Sequence, residues 1–257
     1  MKNSNQKRVL VLGVSEANSI GYAIAQKFID QGARVLIAGR TESKIKQASE
    51  LLGVESYVSD VRQASQLQQL VTHAVSLFGG LDVAVNCSGV PAASDIASVT
   101  EDEAHNAVNV MLIGTLFFLQ KMSSVMSAGG SIVTLSSITA TCPTVGNAAY
   151  LSAKAGADHL VRAAALEFGP KKIKVNSVSP GFTDATPMSQ DYLKVNGLRE
   201  AFEKEIPLGR LNTCGDVANA VAWLCSDDCF MSGQNLQING GNSLTRLPSG
   251  SELAALF

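Results

Sequence analysis

Charge is scarce in this chain. Of its 257 residues 16% are charged and 46% hydrophobic, and the formal balance is −2. Without a basic excess to neutralise phosphates, nucleic acid is not an expected partner. Long apolar runs are missing as well. None approaches the roughly 20 residues that a membrane-spanning helix needs, so no membrane is expected. The polar start, MKNSNQKR, contains no apolar signal-peptide core and leads straight into a strand, which makes the cytoplasm the expected location. Histidine occurs only at 73, 105 and 159, with no HExxH or zinc-type spacing, so no metal is expected. The five cysteines (87, 142, 214, 225 and 229) are odd in number and scattered. Cys225 and Cys229 share a helix face, but no neighbouring histidine completes a metal set, and the thiols read as reduced. No linker, repeat or composition break divides the chain, and its length suits one large α/β domain over 1–257.

What is present is a regular alternation. Short apolar runs at 8–13, 34–40, 55–61, 81–89, 130–137, 172–181 and 235–241 read as buried strands. Between them lie helical patterns at 20–32, 42–52, about 63–79, about 101–127, 149–169 and about 215–226. Strands alternating with crossover helices specify a parallel seven-stranded sheet covered on both faces, a doubly wound α/β fold. The one long irregular segment, 182–206, has helical patches such as LREAFEKE and reads as a substrate-binding loop. The tail from Thr245 (245–257) is apolar enough to dock on something, a neighbouring subunit being one candidate.

Two stretches carry chemistry. In the first, Gly13 ends a strand and Ile20-Gly21 opens a helix, so backbone N–H groups and the helix dipole can hold a pyrophosphate. The next strand ends Ala38-Gly39-Arg40. A carboxylate here would suit the ribose 2′-hydroxyl of NAD, whereas Gly39 and Arg40 offer room and a guanidinium for a 2′-phosphate. NADP(H) is therefore the preferred cofactor, with NAD(H) still possible. Glu16, inside the glycine turn, is a complication because its charge would repel that phosphate. The second stretch is SSITATCPTVGNAAYLSAK (136–154). Tyr150 and Lys154 sit one turn apart on a predicted helix, and Ser137 ends the preceding strand. A phenol acidified by the ammonium and a serine that fixes a carbonyl can together protonate its oxygen. Tyr-x-x-x-Lys alone also occurs by chance in helices.

In order and spacing these segments resemble the short-chain dehydrogenase/reductase family from Val9 to Gly241. The matching pieces are the turn at 13–21, Asp60-Val61, Asn86-Cys87-Ser88-Gly89, Ser137, Tyr150, Lys154, Asn176 through Pro180-Gly181, and Gly240-Gly241. The resemblance implies a Rossmann-type fold that binds the cofactor through Gly13, Ser15, Ser19, Ile20, Gly21 and Arg40. It implies Asp60 and Val61 at the adenine, Asn86 and Gly89 along the cofactor, and Pro180, Gly181 and Thr183 at its nicotinamide end. Tyr150 is then the acid/base, Lys154 binds the ribose and tunes Tyr150, and Ser137 orients a carbonyl or alcohol substrate. A homotetramer built through the helices at 101–127 and 149–169 is also implied.

Three departures from the family pattern stand out. The glycine turn is two residues longer than the commonest form, with Ser19 where a middle Gly is expected, as in enoyl-acyl-carrier-protein reductases. The three residues between Tyr150 and Lys154 favour carbonyl chemistry instead. Met111 replaces the family asparagine that helps anchor a relay water, so Asn109 or another group compensates, turnover is reduced, or the protein is not a working oxidoreductase. Cys87 and Ser88, both small, replace two family residues with little expected consequence. The expected function is NADPH-dependent reduction of a hydrophobic or 3-oxoacyl ketone, or the reverse oxidation. An enoyl thioester reductase and a cofactor-binding, non-catalytic protein are the alternatives. Ile138, Thr139, Cys142, Phe182, Met188 and Tyr192 are the expected substrate contacts beside Ser137.

Overall fold

The computed structural model describes residues 6–256; residues 1–5 of the polar start and Phe257 of the tail lie outside them. Seven strands pair in the order β3-β2-β1-β4-β5-β6-β7, all parallel. They are β1 (Arg8–Leu12), β2 (Arg34–Gly39), β3 (Glu55–Val58), β4 (Leu81–Asn86), β5 (Met126–Leu135), β6 (Lys174–Pro180) and β7 (Asn235–Ile238). The chain winds outward from β1 through β3, then returns to the other side of β1 and continues to β7. The switch therefore falls between β1 and β4, where open α/β sheets leave a crevice beyond the strand ends.

Strand periodicity explains the two cores. Val9 and Val11 face one side with Ile24 and Phe28 of α1 (Ile20–Asp30), Ile45 of α2 (Glu42–Leu52) and Val217 and Val221 of α8 (Cys214–Leu224). Leu10 and Leu12 face the other, with Leu67 and Leu70 of α3 (Ala64–Phe78), Phe118 of α5 (Gly114–Ser123) and Val161 of α6 (Ala148–Phe168). Burial on both faces is why β1, β2 and β4 read as continuous apolar runs.

The structure differs from the sequence expectation in three places. The helix expected over about 101–127 is α4 (Glu101–Val108), a π-helical turn over Asn109–Ile113, and α5, which stops at Ser123. Strand β5 begins at Met126 rather than 130, because Gly129, at φ +86°, lets the chain bulge between the pairs Leu81↔Met126 and Val83↔Ser131. The tail docks on its own chain. Ser249 and Glu252 form a capping box on α9 (Gly250–Ala254), and Arg246 reaches Glu205 at 2.7 Å and Glu252 at 2.5 Å. That holds α9 against α7 (Leu198–Glu203), the α-helical part of the 182–206 segment. No helix of the described residues is long and apolar enough to cross a membrane.

Candidate active site

The strand ends at the switch open into two adjoining clefts. The first, about 300 Å³, is lined by Gly13, Ser15, Ser19, Ile20 and Gly21 at one end and by Arg40, Lys44, Asp60 and Val61 at the other. Glycine is required here by packing. A Cβ at Gly13, which sits at φ +90°, would stand 2.6 Å from the backbone of Cys87 and Ser88, and one at Gly39 would stand 2.5 Å from the Val14 carbonyl oxygen. Ser19, in place of a middle glycine, caps α1 by accepting from the Tyr22 N–H at 3.2 Å. Ser59, in the same wall, has a buried hydroxyl with no hydrogen-bond partner among the described residues.

The charges at this end arrange themselves in pairs. Glu16 accepts from Lys44 at 2.6 Å, so the carboxylate that complicated phosphate binding is neutralised. Arg62 grips the Asp60 carboxylate at 2.5–3.0 Å and holds it below the usual carboxylate range, with Arg40 adding to the effect. Arg40 itself is exposed at the mouth. Asn86 is not in the cleft surface. It is buried, its amide oxygen accepts from the Ser88 N–H at 3.0 Å, and its NH2 donates to Thr115 at 3.3 Å. The Thr115 hydroxyl in turn donates to the Met111 carbonyl at 2.7 Å. Asn109 is exposed, so any compensation for Met111 does not come from its side chain.

The second cleft, about 530 Å³, shares Ile20, Cys87, Ser88, Gly89 and Met188 with the first. It brings together Ser137, Tyr150, Lys154, Pro180, Gly181 and Thr183 from three separate strand ends and helices. Helix α6 places Tyr150 and Lys154 on one face, with the Lys154 Nζ 5.8 Å from the centroid of the phenol ring. Lys154 is 4% exposed and donates to the Leu135 carbonyl at 2.5 Å. Burial lowers its pKa to about 8, with Asp158 pulling the other way. The expected acidification of Tyr150 is corrected by the structure. Burial raises the phenol pKa, and the opposing influence comes from the nearby Ser137 hydroxyl rather than from the ammonium. Burial also pushes the Cys87 thiol up to about 12, so it stays neutral.

The substrate-side residues are placed unevenly. Ser137, Ile138, Thr139, Phe182, Met188 and Tyr192 line this cleft, although Ile138 is only 3% exposed. Cys142 does not line it; its thiol turns to the Ser243 carbonyl at 3.6 Å. Sequence reasoning missed Lys44, Phe202, which stacks on Phe182 with centroids 4.2 Å apart, and Leu247 and Leu253 of the tail. Spacing within the helical LREAFEKE patch, where Leu198, Ala201 and Phe202 share a face, could have pointed to Phe202; nothing local marks the tail residues. Lys154 is the one charged side chain among the described residues lining this cleft. No group of three or more His, Cys, Asp or Glu among the described residues is disposed to hold a metal.

Known proteins resemble this arrangement along nearly the whole chain. The family described as enoyl-(acyl carrier protein) reductase matches residues 13–243. A 3-oxoacyl-(acyl-carrier-protein) reductase of Staphylococcus aureus is 33% identical over 246 residues, covering 91% of this chain and 97% of that protein. A short-chain dehydrogenase/reductase of Botryotinia fuckeliana is 35% identical over 240 residues, covering 88% and 93%. Among solved structures, a short-chain type dehydrogenase/reductase from Mycobacterium ulcerans superposes with a TM-score of 0.90 at 28% identity, over 99% of this chain and 100% of that one. An actinorhodin polyketide ketoreductase solved with NADPH gives 0.86 at 26% identity, over 95% and 99%.

Proposed function

Since the chain belongs to the short-chain dehydrogenase/reductase family of oxidoreductases, we propose that it is an NADPH-dependent reductase of a hydrophobic ketone. The observation that carries this reading is the convergence of Ser137, Tyr150 and Lys154 on an apolar cleft continuous with the glycine-lined one.

The first cleft suits a dinucleotide. The backbone around Gly13 and Gly21 and the capped start of α1 take the pyrophosphate, and Asp60, Val61 and the orphan hydroxyl of Ser59 lie where an adenosine would rest. Arg40 supplies the positive charge for a 2′-phosphate, beside the charge-balanced pair of Lys44 and Glu16. Pro180, Gly181 and Thr183 hold the nicotinamide end. When bound, NADPH supplies the hydride. Ser137 donates a hydrogen bond to the substrate carbonyl and fixes its oxygen near Tyr150. The phenol then gives that oxygen its proton. A raised phenol pKa keeps Tyr150 protonated, as an acid must be before it acts. Lys154, anchored on the Leu135 carbonyl, presents its remaining protons toward the ribose and the phenol. The aromatic pair Phe182 and Phe202, with Tyr192, Leu198, Leu247 and Leu253, favours an uncharged, bulky substrate body.

The test is NADPH oxidation across a panel of carbonyl compounds. Tyr150→Phe is expected to lose roughly 100-fold or more of the rate while still binding NADPH by fluorescence; retention of most of the rate removes Tyr150 from the mechanism. The enoyl reading is favoured by the lengthened turn around Ser19 and by the description of the matching family. A 3-oxoacyl thioester assayed beside an enoyl thioester separates the two. A homotetramer through α4, α5 and α6 fits the exposed Leu116 and Leu166 on those helices.

A further inference from the structure

Helix α6 carries a third functional-looking side chain on the face of Tyr150 and Lys154. Asp158 lies one more turn along, at i+4 from the lysine, and is only 9% exposed. A carboxylate so deeply placed must have its oxygens satisfied, and both are. Oδ2 accepts from Ser136 at 2.6 Å, and Oδ1 accepts from Ser177 at 2.7 Å. Ser136 stands between Leu135, whose carbonyl receives Lys154, and Ser137.

Behind Ser177 runs a ladder of side chains along the edge strand β7. Ser243 donates to Asn239 at 3.4 Å, Asn239 to Gln237 at 3.0 Å, Gln237 to Asn235 at 2.6 Å, and Asn235 to Ser177 at 2.9 Å. Every donor in the series points toward the carboxylate. Such a chain polarises in one direction and favours a negative charge at its end.

We propose that Asp158 is the positioning counter-ion of Lys154, its two oxygens held by Ser136 and by the Ser177 end of the β7 ladder, and that it fixes the spacing between Ser137 and the Tyr150–Lys154 face. The assignment of the ladder to catalysis rests on the reductase reading. Lys154 makes no direct ion pair among the described residues, so the attraction acts through space while the serines take the carboxylate's hydrogen bonds. The groups facing the ammonium are Asp158 and Tyr150 from α6, Cys87 from the end of β4, and the Leu135 carbonyl from β5. Cys87 is neutral, which leaves Asp158 as the nearby negative charge. Removing that charge makes the ammonium harder to keep, so the lysine loses its proton at lower pH.

The experiment uses full-length, ligand-free protein carrying 13Cε-labelled lysine, with the Lys154 resonance assigned through Lys154→Met. The wild-type midpoint is expected near pH 8, and Asp158→Asn is expected to lower it by roughly one pH unit. In turnover assays the alkaline limb of kcat/KM moves down with it. A folded Asp158→Asn protein with an unchanged Lys154 midpoint overturns the proposal, as does an unmoved alkaline limb. Should Asp158→Asn fail to fold, Gln237→Leu cuts the ladder at a half-buried position and is expected to shift the midpoint the same way by less; an unchanged midpoint there equally overturns it. The titration needs neither cofactor nor carbonyl, so failure to find a substrate leaves it standing.

Discussion

Arg40 directly follows β2, and under the proposed function the choice between two nicotinamide cofactors turns on the sign of its side chain. The structure adds Lys44 one turn into the next helix and removes the objection raised by Glu16, since the two pair at 2.6 Å. Arg40→Asp is expected to lower kcat/KM for NADPH by roughly tenfold or more while sparing or improving NADH, as loss of a charge-assisted contact and gain of a 2′-hydroxyl acceptor require. Steady-state assays with both cofactors check this; an unchanged ratio moves 2′-phosphate recognition to Lys44. At this scale the sequence was legible wherever spacing alone carries the geometry. Tyr150 and Lys154 fall together because a helix turn brings i and i+4 together. The phenol's pKa was not legible, because it depends on desolvation by residues far apart in sequence. The burial of Asn86 beneath Ser88 and the turn of Cys142 toward Ser243 were hidden for the same reason.

Among the elements, the turn between β1 and α1 shows how little room the fold leaves. Gly13 combines a backbone conformation that L-residues rarely adopt with a neighbour 2.6 Å from any added Cβ. Gly13→Ala is expected to destabilise the protein by roughly 2 kcal/mol or more and to weaken NADPH binding by displacing Cys87 and Ser88. Thermal unfolding and a fluorescence titration report the two effects, and a variant unchanged in both would mean that the turn relaxes freely. Apolar strands and amphipathic helices of ordinary length were readable from periodicity. The π-helical turn over Asn109–Ile113 was not, because one extra residue per turn leaves no compositional mark. Its own Met111 carbonyl joins a chain of hydrogen bonds reaching Asn86, which accords with the frequent appearance of such turns near functional sites. The early start of β5 escaped for a related reason, since the sequence reads as a strand only from Gly130 and the bulge at Gly129 lies within β5.

Considered as a whole, the molecule sets a polar, glycine-lined cleft beside an apolar one at the point where the sheet reverses its order. The alternation of elements made that architecture readable from the sequence, and the family resemblance supplied the order of the motifs. The closure of the apolar cleft by the chain's own tail was not readable, because it depends on Arg246 meeting Glu205 across 41 positions. Arg246→Ala is expected to raise KM for a bulky ketone several-fold with kcat nearly preserved, as steady-state kinetics would show; an unaltered KM would leave the tail without influence on the substrate.

The wall that Leu247, Pro248 and Leu253 contribute to the apolar cleft comes from a stretch that contains none of Ser137, Tyr150 or Lys154 and no part of the glycine turn. Under the proposed function, one part of substrate recognition is thereby carried on a length of polypeptide separate from the chemistry. A mutagenesis library confined to those few positions could retune which ketones are accepted, leaving the machinery of proton and hydride delivery untouched.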